Sequence, residues 1–425
     1  MESELLDKDL FVLSSNDKDV YIIYSPIRRR VMYTKGISFR EIRESYNNVK
    51  ENNLTSFTIL EERLSNISSS PKQSIKKTNI GMNNNRLVLL LTNACNLGCI
   101  YCYAQEAHSK EKLTYEQVVN SVDYVLDNNP FEQKHFTFIG GGEPLVNWEL
   151  LEKSIKYIRG KAANAHIGVQ TNATLLDSGK IEWLIGEKVD IGCSFDILPE
   201  IQNRQRPYAH RNEGSFEAVD RNIRELVCKG AVPGIRTTIM PEVCSKMPEM
   251  VEYILTKYPE IHKIHFEHVS GEGLTWENYY SAFIDGFFAA KKIADSKGVY
   301  LKNSIIRSMA TLKTRFCSGE LCITPSGSIV SCHRVSSEKD NLFPKLSYGK
   351  VDNVGLLIDT DKRKLIESMY DNKCKKECAS CFCAYHCAGQ CCNNKMSYCE
   401  KDYEELCNFT REMVLRALEN KLGLD

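Results

Sequence analysis

Three cysteines lie within one short segment of the chain, at Cys95, Cys99 and Cys102. Thiolates separated by three and two residues can ligate one face of a cubane iron–sulfur cluster, whose fourth iron is then open to a small chelating ligand. A structural zinc ion would need a fourth protein ligand, for which His108 is the nearest candidate. The spacing therefore favours an iron–sulfur cluster, with zinc as the alternative.

A glycine-rich segment, residues 138–144 with the sequence FIGGGEP, follows a short apolar run. Glycine allows the backbone to approach a ligand closely, although a glycine run after a strand by itself predicts only a tight turn. This segment and the three cysteines follow neighbouring predicted strands. Barrels of parallel strands place their chemistry in the loops at the carboxyl ends of the strands. We therefore expect both segments in one site.

Cysteines are concentrated near the C-terminus, since the chain has 18 in 425 residues and nine of them lie between Cys374 and Cys407. The acidic N-terminus does not have the pattern of a secretion signal. We therefore predict a cytoplasmic protein, in a compartment where disulfides are rare and clustered thiols usually bind metal.

Charge and hydropathy argue against two classes of partner. Lys plus Arg and Asp plus Glu both number 55, so the formal net charge is zero and a general basic surface for nucleic acid is not expected. No apolar stretch approaches the ~18 residues that a membrane span needs. We predict neither a nucleic-acid partner nor a membrane partner.

Short apolar runs alternate with helical patterns from Arg86 onwards. The six runs are Leu87–Leu91, Phe136–Ile139, Ile167–Gln170, Val189–Ser194, Ile235–Met240 and Ile264–His268. Six strand–helix units imply a parallel sheet but are too few for a closed eight-stranded barrel. We predict an α/β fold built on a partial (β/α)6 TIM-like barrel, followed by a long helix over Tyr279–Lys297.

The chain divides into four predicted segments. They are a small α+β domain at 1–65, a Ser-, Asn- and Lys-rich linker at 66–85, the barrel at 86–310, and a cysteine-rich domain at 311–425. In the first we expect a hairpin of Leu10–Ser14 and Val20–Tyr24 and a helix over Phe39–Val49. The last has little apolar periodicity, so metal ligation should stabilise it, and it ends in an amphipathic helix over Tyr403–Leu422.

The three-cysteine segment, with the aromatic Tyr101 before its third cysteine, resembles the signature of the radical S-adenosylmethionine (radical SAM) superfamily. The resemblance implies a [4Fe-4S] cluster that chelates SAM, and electron transfer that cleaves SAM to methionine and a 5′-deoxyadenosyl radical, which abstracts a hydrogen atom. Residues 138–144 match the GGEP motif of that family. The implied SAM-binding residues are Tyr101, Gly141, Gly142, Glu143, Pro144, Asn172, Ser194 and Arg206.

The resemblance also indicates individual roles. The GGEP backbone and the region of Glu143 would bind the methionine ammonium group, and Ser194 and Arg206 would hold its carboxylate, which suits a guanidinium. Ala173 and Ile197 stand where the family usually has glycine. Three polar residues at the end of the sixth strand could face the cofactor, although hydrogen bonding at the strand end is the favoured interpretation of each: His265, Glu267 and His268.

The C-terminal cysteines resemble, in spacing and order, the SPASM domain of radical SAM enzymes that modify peptides and proteins. The resemblance implies two auxiliary [4Fe-4S] clusters, with two zinc sites as the alternative. The first cluster would be held by Cys317, Cys322, Cys332 and Cys391, and the second by Cys378, Cys381, Cys387 and Cys407. Some relatives leave an iron of the first auxiliary cluster open, so the role of Cys322 stays undecided.

Seven cysteines have no ligand role in this scheme: Cys193, Cys228, Cys244, Cys374, Cys383, Cys392 and Cys399. We expect the first three to be small buried hydrophobes. The other four flank the proposed ligands, and an exchange of Cys392 for Cys391 remains open.

The combined resemblance implies a peptide maturase of the sactisynthase or ranthipeptide-synthase type. Such an enzyme abstracts a hydrogen from a ribosomally synthesised precursor peptide and installs a cross-link; a C–S thioether is the favoured product, and a C–C bond or epimerisation is the alternative. The N-terminal domain could recognise a leader peptide by adding a strand to an exposed sheet edge, or could be a structural extension. A flavodoxin or ferredoxin is the expected electron donor.

Two other functions are weighed against this one. Anaerobic sulfatase maturases form formylglycine with the same three clusters, but they begin close to the three-cysteine motif and carry an acidic residue after the equivalent of Cys332. This chain has His333 and Arg334 there; the general base is unassigned, and His333 is the candidate. A non-catalytic iron–sulfur or zinc scaffold would have no need of the GGEP loop.

Overall fold

The structure is a computed structural model that describes residues 3–7, 9–17, 19–51, 58–74, 86–129, 132–270, 278–370 and 376–420. The strands are β1 (Ser3–Asp7), β2 (Leu10–Ser14), β3 (Val20–Ser25), β4 (Arg30–Lys35), β5 (Arg86–Leu89), β6 (His135–Phe138), β7 (His166–Thr171), β8 (Asp190–Ser194), β9 (Gly234–Ile239), β10 (Lys263–His268), β11 (Tyr300–Lys302), β12 (Leu321–Ile323), β13 (Ser328–Val330), β14 (Ser347–Val351) and β15 (Leu356–Ile358).

The α-helices lie between and after these strands. They are α1 (Phe39–Glu51), α2 (Ile59–Ser69), α3 (Tyr115–Asn128), α4 (Trp148–Lys161), α5 (Ser178–Gly186), α6 (Pro199–Gln205), α7 (Phe216–Cys228), α8 (Met247–Lys257), α9 (Tyr279–Ser296), α10 (Ser304–Met309), α11 (Phe343–Leu346), α12 (Thr360–Tyr370), α13 (Lys376–Ala379), α14 (Ala384–Cys387), α15 (Cys392–Ser397) and α16 (Glu400–Glu419). None of the described helices is long and apolar enough to cross a membrane.

The N-terminal unit is a four-stranded antiparallel sheet in the order β1-β2-β3-β4, with α1 and α2 packed on it. Strands β2 and β3 pair as the hairpin expected from the sequence. Helix α2 begins at a capping box formed by Thr58 and Glu61 and ends at Ser69, inside the segment predicted as linker. The rest of that segment from residue 75 to 85 lies outside the described residues.

A second sheet forms the centre of the molecule, in the order β11-β10-β9-β8-β7-β6-β5-β12-β13-β14-β15. Strands β5 to β10 are parallel and lie within two residues of the six predicted strands. The sheet has one more parallel strand at this edge than the six predicted, because β11 pairs in parallel with β10. With only three residues, β11 is too short to produce an alternation that the sequence reveals.

The cysteine-rich region has more apolar core than its sequence predicts. Strand β12 pairs in parallel with β5 and extends the barrel sheet, and β13 to β15 follow in antiparallel order. Leu321, Ile323, Ile329 and Val330 are fully buried there. This part of 311–425 is therefore stabilised by burial as well as by any metal, whereas its weak apolar periodicity predicted stabilisation by metal ligation.

The N-terminal unit packs against the C-terminal region. The ring of Phe11 in β2 lies edge-on to Phe382, with ring centroids 6.5 Å apart, and the hydroxyl of Tyr24 in β3 is hydrogen-bonded to His386 Nε2 at 2.5 Å. Both Tyr24 and His386 are buried. The contact between the N-terminal unit and the cysteine-rich region is therefore buried from solvent.

Candidate active site

The loop that carries the three motif cysteines follows β5 and is fixed by backbone hydrogen bonds to the last residue of α6 and to the segment that follows it. The amide of Gly98 donates to the carbonyl of Pro207 at 2.8 Å, and that of Ile100 donates to Gln205 at 3.0 Å. All three cysteines are partly buried. The thiols therefore sit on a positioned loop, at the carboxyl ends of the parallel strands.

The glycine-rich loop after β6 packs directly on the cysteine loop. The amide of Gly142 donates to the carbonyl of Thr92 at 2.8 Å, and that of Glu143 donates to Ala94 at 2.9 Å. A Cβ atom at Gly142 would lie 2.0 Å from the carbonyl oxygen of Ala94. Glycine is required here because the two backbones touch.

The side chain of Glu143 organises this loop. It is 3% exposed; its Oε1 accepts hydrogen bonds from the amide of Leu145 at 3.1 Å and the hydroxyl of Thr171 at 2.7 Å, and its Oε2 accepts one from the amide of Asn172 at 2.7 Å. Burial raises the pKa of Glu143, and these donors oppose the rise. The carboxylate therefore ties the glycine-rich loop to the end of β7.

The two positions that lack the family's glycine keep a glycine-like backbone. Ala173 has φ 62° and Ile197 has φ 69°, both in the left-handed region, which costs a non-glycine residue roughly 1–2 kcal/mol. Next to Ala173, the side chain of Asn172 donates to Asn96 Oδ1 of the cysteine loop at 2.9 Å. The turn geometry is therefore preserved, with strain stored beside the site.

A buried polar chain lies behind the cysteine loop. The hydroxyl of Tyr101 donates to Asp196 Oδ2 at 2.6 Å, and Arg206 Nη1 donates to the Tyr101 hydroxyl at 3.1 Å. Asp196 and Arg206 are 0% and 8% exposed. Asp196 was not singled out from the sequence, although it belongs to the Ser-x-Asp stretch that begins at Ser194; Ser194 itself accepts a hydrogen bond from Gln170 at 3.0 Å.

These residues fit an iron–sulfur cluster with an anionic ligand. Burial raises the pKa of Cys95 to about 12 and also raises the pKa values of Cys99 and Cys102, so thiolates there need a compensating cation. Arg206 Nε and Asp196 Oδ1 are buried without a hydrogen-bond partner. In the described ranges, no three His, Cys, Asp or Glu side chains converge as ligands of one metal ion.

The four cysteines assigned to the first auxiliary cluster are linked pairwise by electrostatic interaction. After burial and the charge of Glu320, interaction with Cys332 raises the pKa of Cys322, and interaction with Cys391 raises the pKa values of Cys317 and Cys332. Cys322, the least certain of them, is 0% exposed in β12. Cysteines from sequence segments that are far apart thus lie within electrostatic range of one another.

The second set also has neighbouring members. After burial, Cys407 and Cys381 raise the pKa of Cys387 to about 12. The unassigned Cys383 is 1% exposed, and its hydrogen bond is the main reason that the pKa of Cys381 falls to about 6. The side chain of Cys383 therefore lies within hydrogen-bonding distance of one of the cysteines assigned to the second cluster.

The remaining unassigned cysteines differ in burial. Cys193 and Cys244 are buried as predicted, but Cys228 is exposed because it is the last residue of α7. Cys392 donates to the backbone carbonyl of Met369 at 3.6 Å, which favours a packing role over exchange with Cys391. Cys399 is exposed and caps α16, and Cys374 lies outside the described residues.

The candidate base His333 has a carboxylate partner that the sequence analysis missed. Glu320 Oε2 accepts from the ring Nδ1 of His333 at 2.8 Å and from its backbone amide at 2.9 Å, and Arg86 pairs with Glu320 at 3.4 Å. Although burial raises it, these partners hold the pKa of Glu320 at about 2. The backbone carbonyl of His333 lies 3.5 Å from where a Cβ of Gly140 would stand, so the pair borders the glycine-rich loop.

The polar residues that end β10 are mostly paired with one another. Glu267 lies 2.5 Å from His265 Nε2 and accepts from the hydroxyl of Ser304 at 2.7 Å. His268 Nδ1 is 3.3 Å from Glu267, and its ring packs edge-on against Phe409. These contacts agree with the expected role at the strand end, although the partner of Glu267 on α10 had no sequence signal.

Comparison with known proteins identifies the central part of the chain. Residues 89–254 match the sequence model of the Radical SAM superfamily. This stretch is a radical SAM domain. It begins in β5, ends in α8 and includes both the three cysteines and the glycine-rich loop.

Relatives of known sequence share this domain with the chain. An uncharacterized protein of Methanocaldococcus jannaschii is 32% identical over 171 residues, which are 40% of this chain and 58% of that protein. The cyclopropyl synthase TigE of Paramaledivibacter caminithermalis is 24% identical over 36% of this chain and 34% of its own. A cysteine-type anaerobic sulfatase-maturating enzyme of Clostridium perfringens is 29% identical over 28% of this chain and 35% of its own. The matches thus span about a third to three fifths of these relatives.

Solved structures share the fold over more of the chain. The structure of anSMEcpe with bound AdoMet and the Kp18Cys peptide has a TM-score of 0.66 at 19% identity, covering 79% of this chain and 98% of that one. Streptococcus suis SuiB bound to S-adenosylmethionine has a TM-score of 0.50 at 13% identity, covering 91% and 95%. At such identities, the likeness is one of fold.

Proposed function

We propose that this protein is a radical SAM peptide maturase with three [4Fe-4S] clusters, which removes a hydrogen from a precursor peptide and installs a cross-link. The observation that carries the proposal is the match of residues 89–254 to the radical SAM family together with two further groups of cysteines, one around β12 and β13 and one on the C-terminal helices. When bound, the cluster and SAM supply the 5′-deoxyadenosyl radical that abstracts the hydrogen.

The chain's own residues would bind and orient this chemistry. Cys95, Cys99 and Cys102 hold the cluster, and Arg206 presents its buried, unpaired Nε to the carboxylate of SAM. The side chain of Glu143 ties the glycine-rich loop to the end of β7, and its backbone amide donates to Ala94 of the cysteine loop, so the backbone of this loop would be held in place to bind the ammonium group. The residues that fix SAM are therefore positioned before it binds.

A cavity beside the cysteine loop supports a peptide substrate. It has a volume of about 530 Å³ and lies next to Cys102, between Tyr103 of the cysteine loop and Arg334 and Tyr398 of the C-terminal region. A space between the SAM site and the auxiliary cysteines would admit an extended peptide. In that position a thioether or C–C cross-link is the expected product, and the auxiliary clusters, when bound, would supply the acceptor for the electron released by bond formation.

The N-terminal sheet offers an edge for the leader peptide. Among the described residues β1 pairs on one side only, with β2, whereas the opposite edge strand β4 lies against α16 through the hydroxyl of Tyr33 and the carbonyl of Leu418. A leader strand added to β1 would leave the rest of the peptide free to reach the barrel.

Formylglycine formation is a second candidate, favoured by the pair of Glu320 and His333. Sulfatase maturases carry an acidic residue directly after the cysteine equivalent to Cys332, and here Glu320 brings a carboxylate to the amide of that next residue. The candidate base would then be the imidazole of His333, held by Glu320. The same fold is seen in anSMEcpe.

One experiment separates these candidates. Anaerobically reconstituted protein, with SAM and reduced flavodoxin or ferredoxin, is incubated with the peptide encoded beside it and, separately, with a sulfatase peptide that contains the target Cys or Ser. A loss of two hydrogens per bond from the encoded peptide supports the maturase, whereas conversion of Cys or Ser to formylglycine in the sulfatase peptide supports the second candidate. No 5′-deoxyadenosine in either reaction would contradict both.

A further inference from the structure

Four side chains form a row across the barrel sheet. In the strand register Ser194 of β8 pairs with Arg236 of β9, Arg236 with His265 of β10, and His265 with Lys302 of β11. Register partners on neighbouring strands point to the same face of a sheet. Arg236 and Lys302 therefore lie on the face that carries Ser194, the candidate SAM-binding residue.

This row faces away from the helical layer. Its neighbours along the strands point to the other face and are at most 1% exposed: Cys193, Phe195, Ile235, Thr237, Ile264, Phe266 and Leu301. Arg236, in contrast, is exposed although it lies in the middle of a central strand. An exposed arginine on the inner face of a partial barrel is open to a ligand in the barrel interior.

A second exposed arginine joins the row from α10. Arg307 is exposed between buried neighbours of that helix. It lies within electrostatic range of His265 and Lys302: after burial, Arg307 is among the causes that lower the pKa values of both. Lys302 packs its ammonium over the ring of Tyr300 at 4.4 Å.

The positive charges of the two arginines are not compensated by the chain. In the described part of the protein, neither Arg236 nor Arg307 makes an ion pair or a side-chain hydrogen bond. The nearby carboxylate, Glu267, is already engaged by His265 and Ser304. Two positive charges that both act on His265, with the nearby carboxylate already in use, form a candidate site for an anion.

We propose that Arg236 and Arg307 bind a carboxylate of the peptide substrate, so that the enzyme selects peptides with an acidic group near the residue that loses its hydrogen. The separation between Arg236 and Ser194 supports the proposal. The two residues pair on adjacent strands, which lie about 4.8 Å apart. The carboxylate is supplied by an Asp or Glu side chain or by the peptide's C-terminus. This inference rests on the proposed function, since it concerns the substrate of the same site.

The test uses three acetylated heptapeptides and the reconstituted holoenzyme with SAM. The first is amidated GSGEGSG, the second is its Gln analogue GSGQGSG, also amidated, and the third is that Gln analogue with a free C-terminus. We expect the wild type to bind the Glu peptide at least about tenfold more tightly than the amidated Gln peptide, as for a lost charged hydrogen bond. If the free-acid peptide also binds tightly, the terminal carboxylate is accepted as well.

Variants locate the effect. In Arg236→Gln and Arg307→Gln the preference for the Glu peptide should disappear, while in the control Arg224→Gln it should persist, because Arg224 pairs with Asp220 on an exposed surface of α7. The inference is overturned if the wild type does not distinguish Glu from Gln, or if Arg236→Gln weakens SAM binding and leaves the preference intact.

A parallel assay keeps this test separate from the proposed function. The wild type and all variants are assayed for 5′-deoxyadenosine with SAM and dithionite in the absence of peptide. If the wild type does not cleave SAM, the proposed function is contradicted even if the Glu peptide binds preferentially. Normal SAM cleavage without any Glu preference would contradict only the carboxylate site.

Discussion

At the scale of single residues, the site is held mainly by bonds of the chain to itself. Both oxygens of Glu143 are bound by donors from the glycine-rich loop and from the end of β7. Asp196 and Arg206 meet at the hydroxyl of Tyr101 and each retain one unpaired buried atom. Glu143 therefore positions the loops, whereas Asp196 and Arg206 each keep an atom that can bind a ligand.

Replacing Glu143 by Gln tests the positioning role. The amide NH2 group would face either the amide of Asn172 or the donors from Leu145 and Thr171, and a buried donor without an acceptor costs about 1–3 kcal/mol. We expect the free energy of unfolding to fall by about that amount and SAM affinity to fall with it. Urea unfolding and equilibrium binding measure the two.

The matched control is Glu149→Gln. Glu149 pairs with Lys153 on the exposed face of α4, so its loss should cost no more than about 0.5 kcal/mol. Equal losses in the two variants would show that Glu143 does not organise the site.

Residue types and spacing predict the cysteine ligand sets, because ligands for one cluster must follow a narrow set of spacings, and these sets stay predictions. Residue types and spacing were insufficient for Glu320 and Ser304. Each of these acts through a partner far away along the chain, His333 or Glu267, and a single sequence contains no signal for such a pair. The prediction that Cys228 is buried was also wrong. Cys228 is exposed because it stands at the end of α7 and not on the apolar face of that helix.

At the scale of elements, the site depends on the contact between two loops that leave adjacent strands. The glycine-rich loop approaches the cysteine loop so closely that a single methyl group would separate them at Gly142. The strand order places these loops side by side, because β5 and β6 are parallel neighbours.

The substitution Gly142→Ala should open this contact. The added Cβ would meet the carbonyl oxygen of Ala94 at 2.0 Å, so the two loops must separate. We expect SAM-dependent 5′-deoxyadenosine formation to fall by about tenfold or more, as for a misplaced binding group. Gly160→Ala in α4, with no atom within 4 Å of the new methyl group, should keep its activity and gain up to about 1 kcal/mol of stability. Equal activity in both variants would contradict the requirement for glycine.

The long elements were predictable and the short ones were not. Strands β5 to β10 and helix α9 follow clear periodic patterns, and their bounds agree within a few residues. Strands β11, β12, β13 and β15 have three residues each, too few to show a period. Their places in the sheet depend on tertiary pairing, which explains why the sequence predicted a barrel of six strands and a loop-rich C-terminal region.

At the scale of the whole molecule, the N-terminal unit is joined to the region of the second auxiliary group. Tyr24 binds His386, which is the residue before Cys387, and Phe11 packs on Phe382. The unit proposed to bind the leader is thereby anchored beside the C-terminal cysteines. A peptide bound at β1 would be held at a fixed distance from the barrel.

The substitution Tyr24→Phe should weaken this anchorage. It removes the hydrogen bond to His386 Nε2 in a buried contact, which costs about 1–3 kcal/mol. Urea unfolding of the full chain measures the change. The control Tyr115→Phe, at a site 37% exposed, should change stability by less than about 0.5 kcal/mol; equal losses would indicate that the Tyr24 contact contributes nothing specific.

The central claim is that Cys95, Cys99 and Cys102 hold a cluster with an iron open to SAM. The most direct measurement is electron paramagnetic resonance of the anaerobically reconstituted, dithionite-reduced protein before and after addition of SAM, with 5′-deoxyadenosine quantified in the same sample. We predict that SAM changes the cluster spectrum, that the nucleoside forms, and that Cys99→Ala abolishes both. Zinc bound at these thiols, or a cluster spectrum unchanged by SAM with no nucleoside formed, would contradict the account.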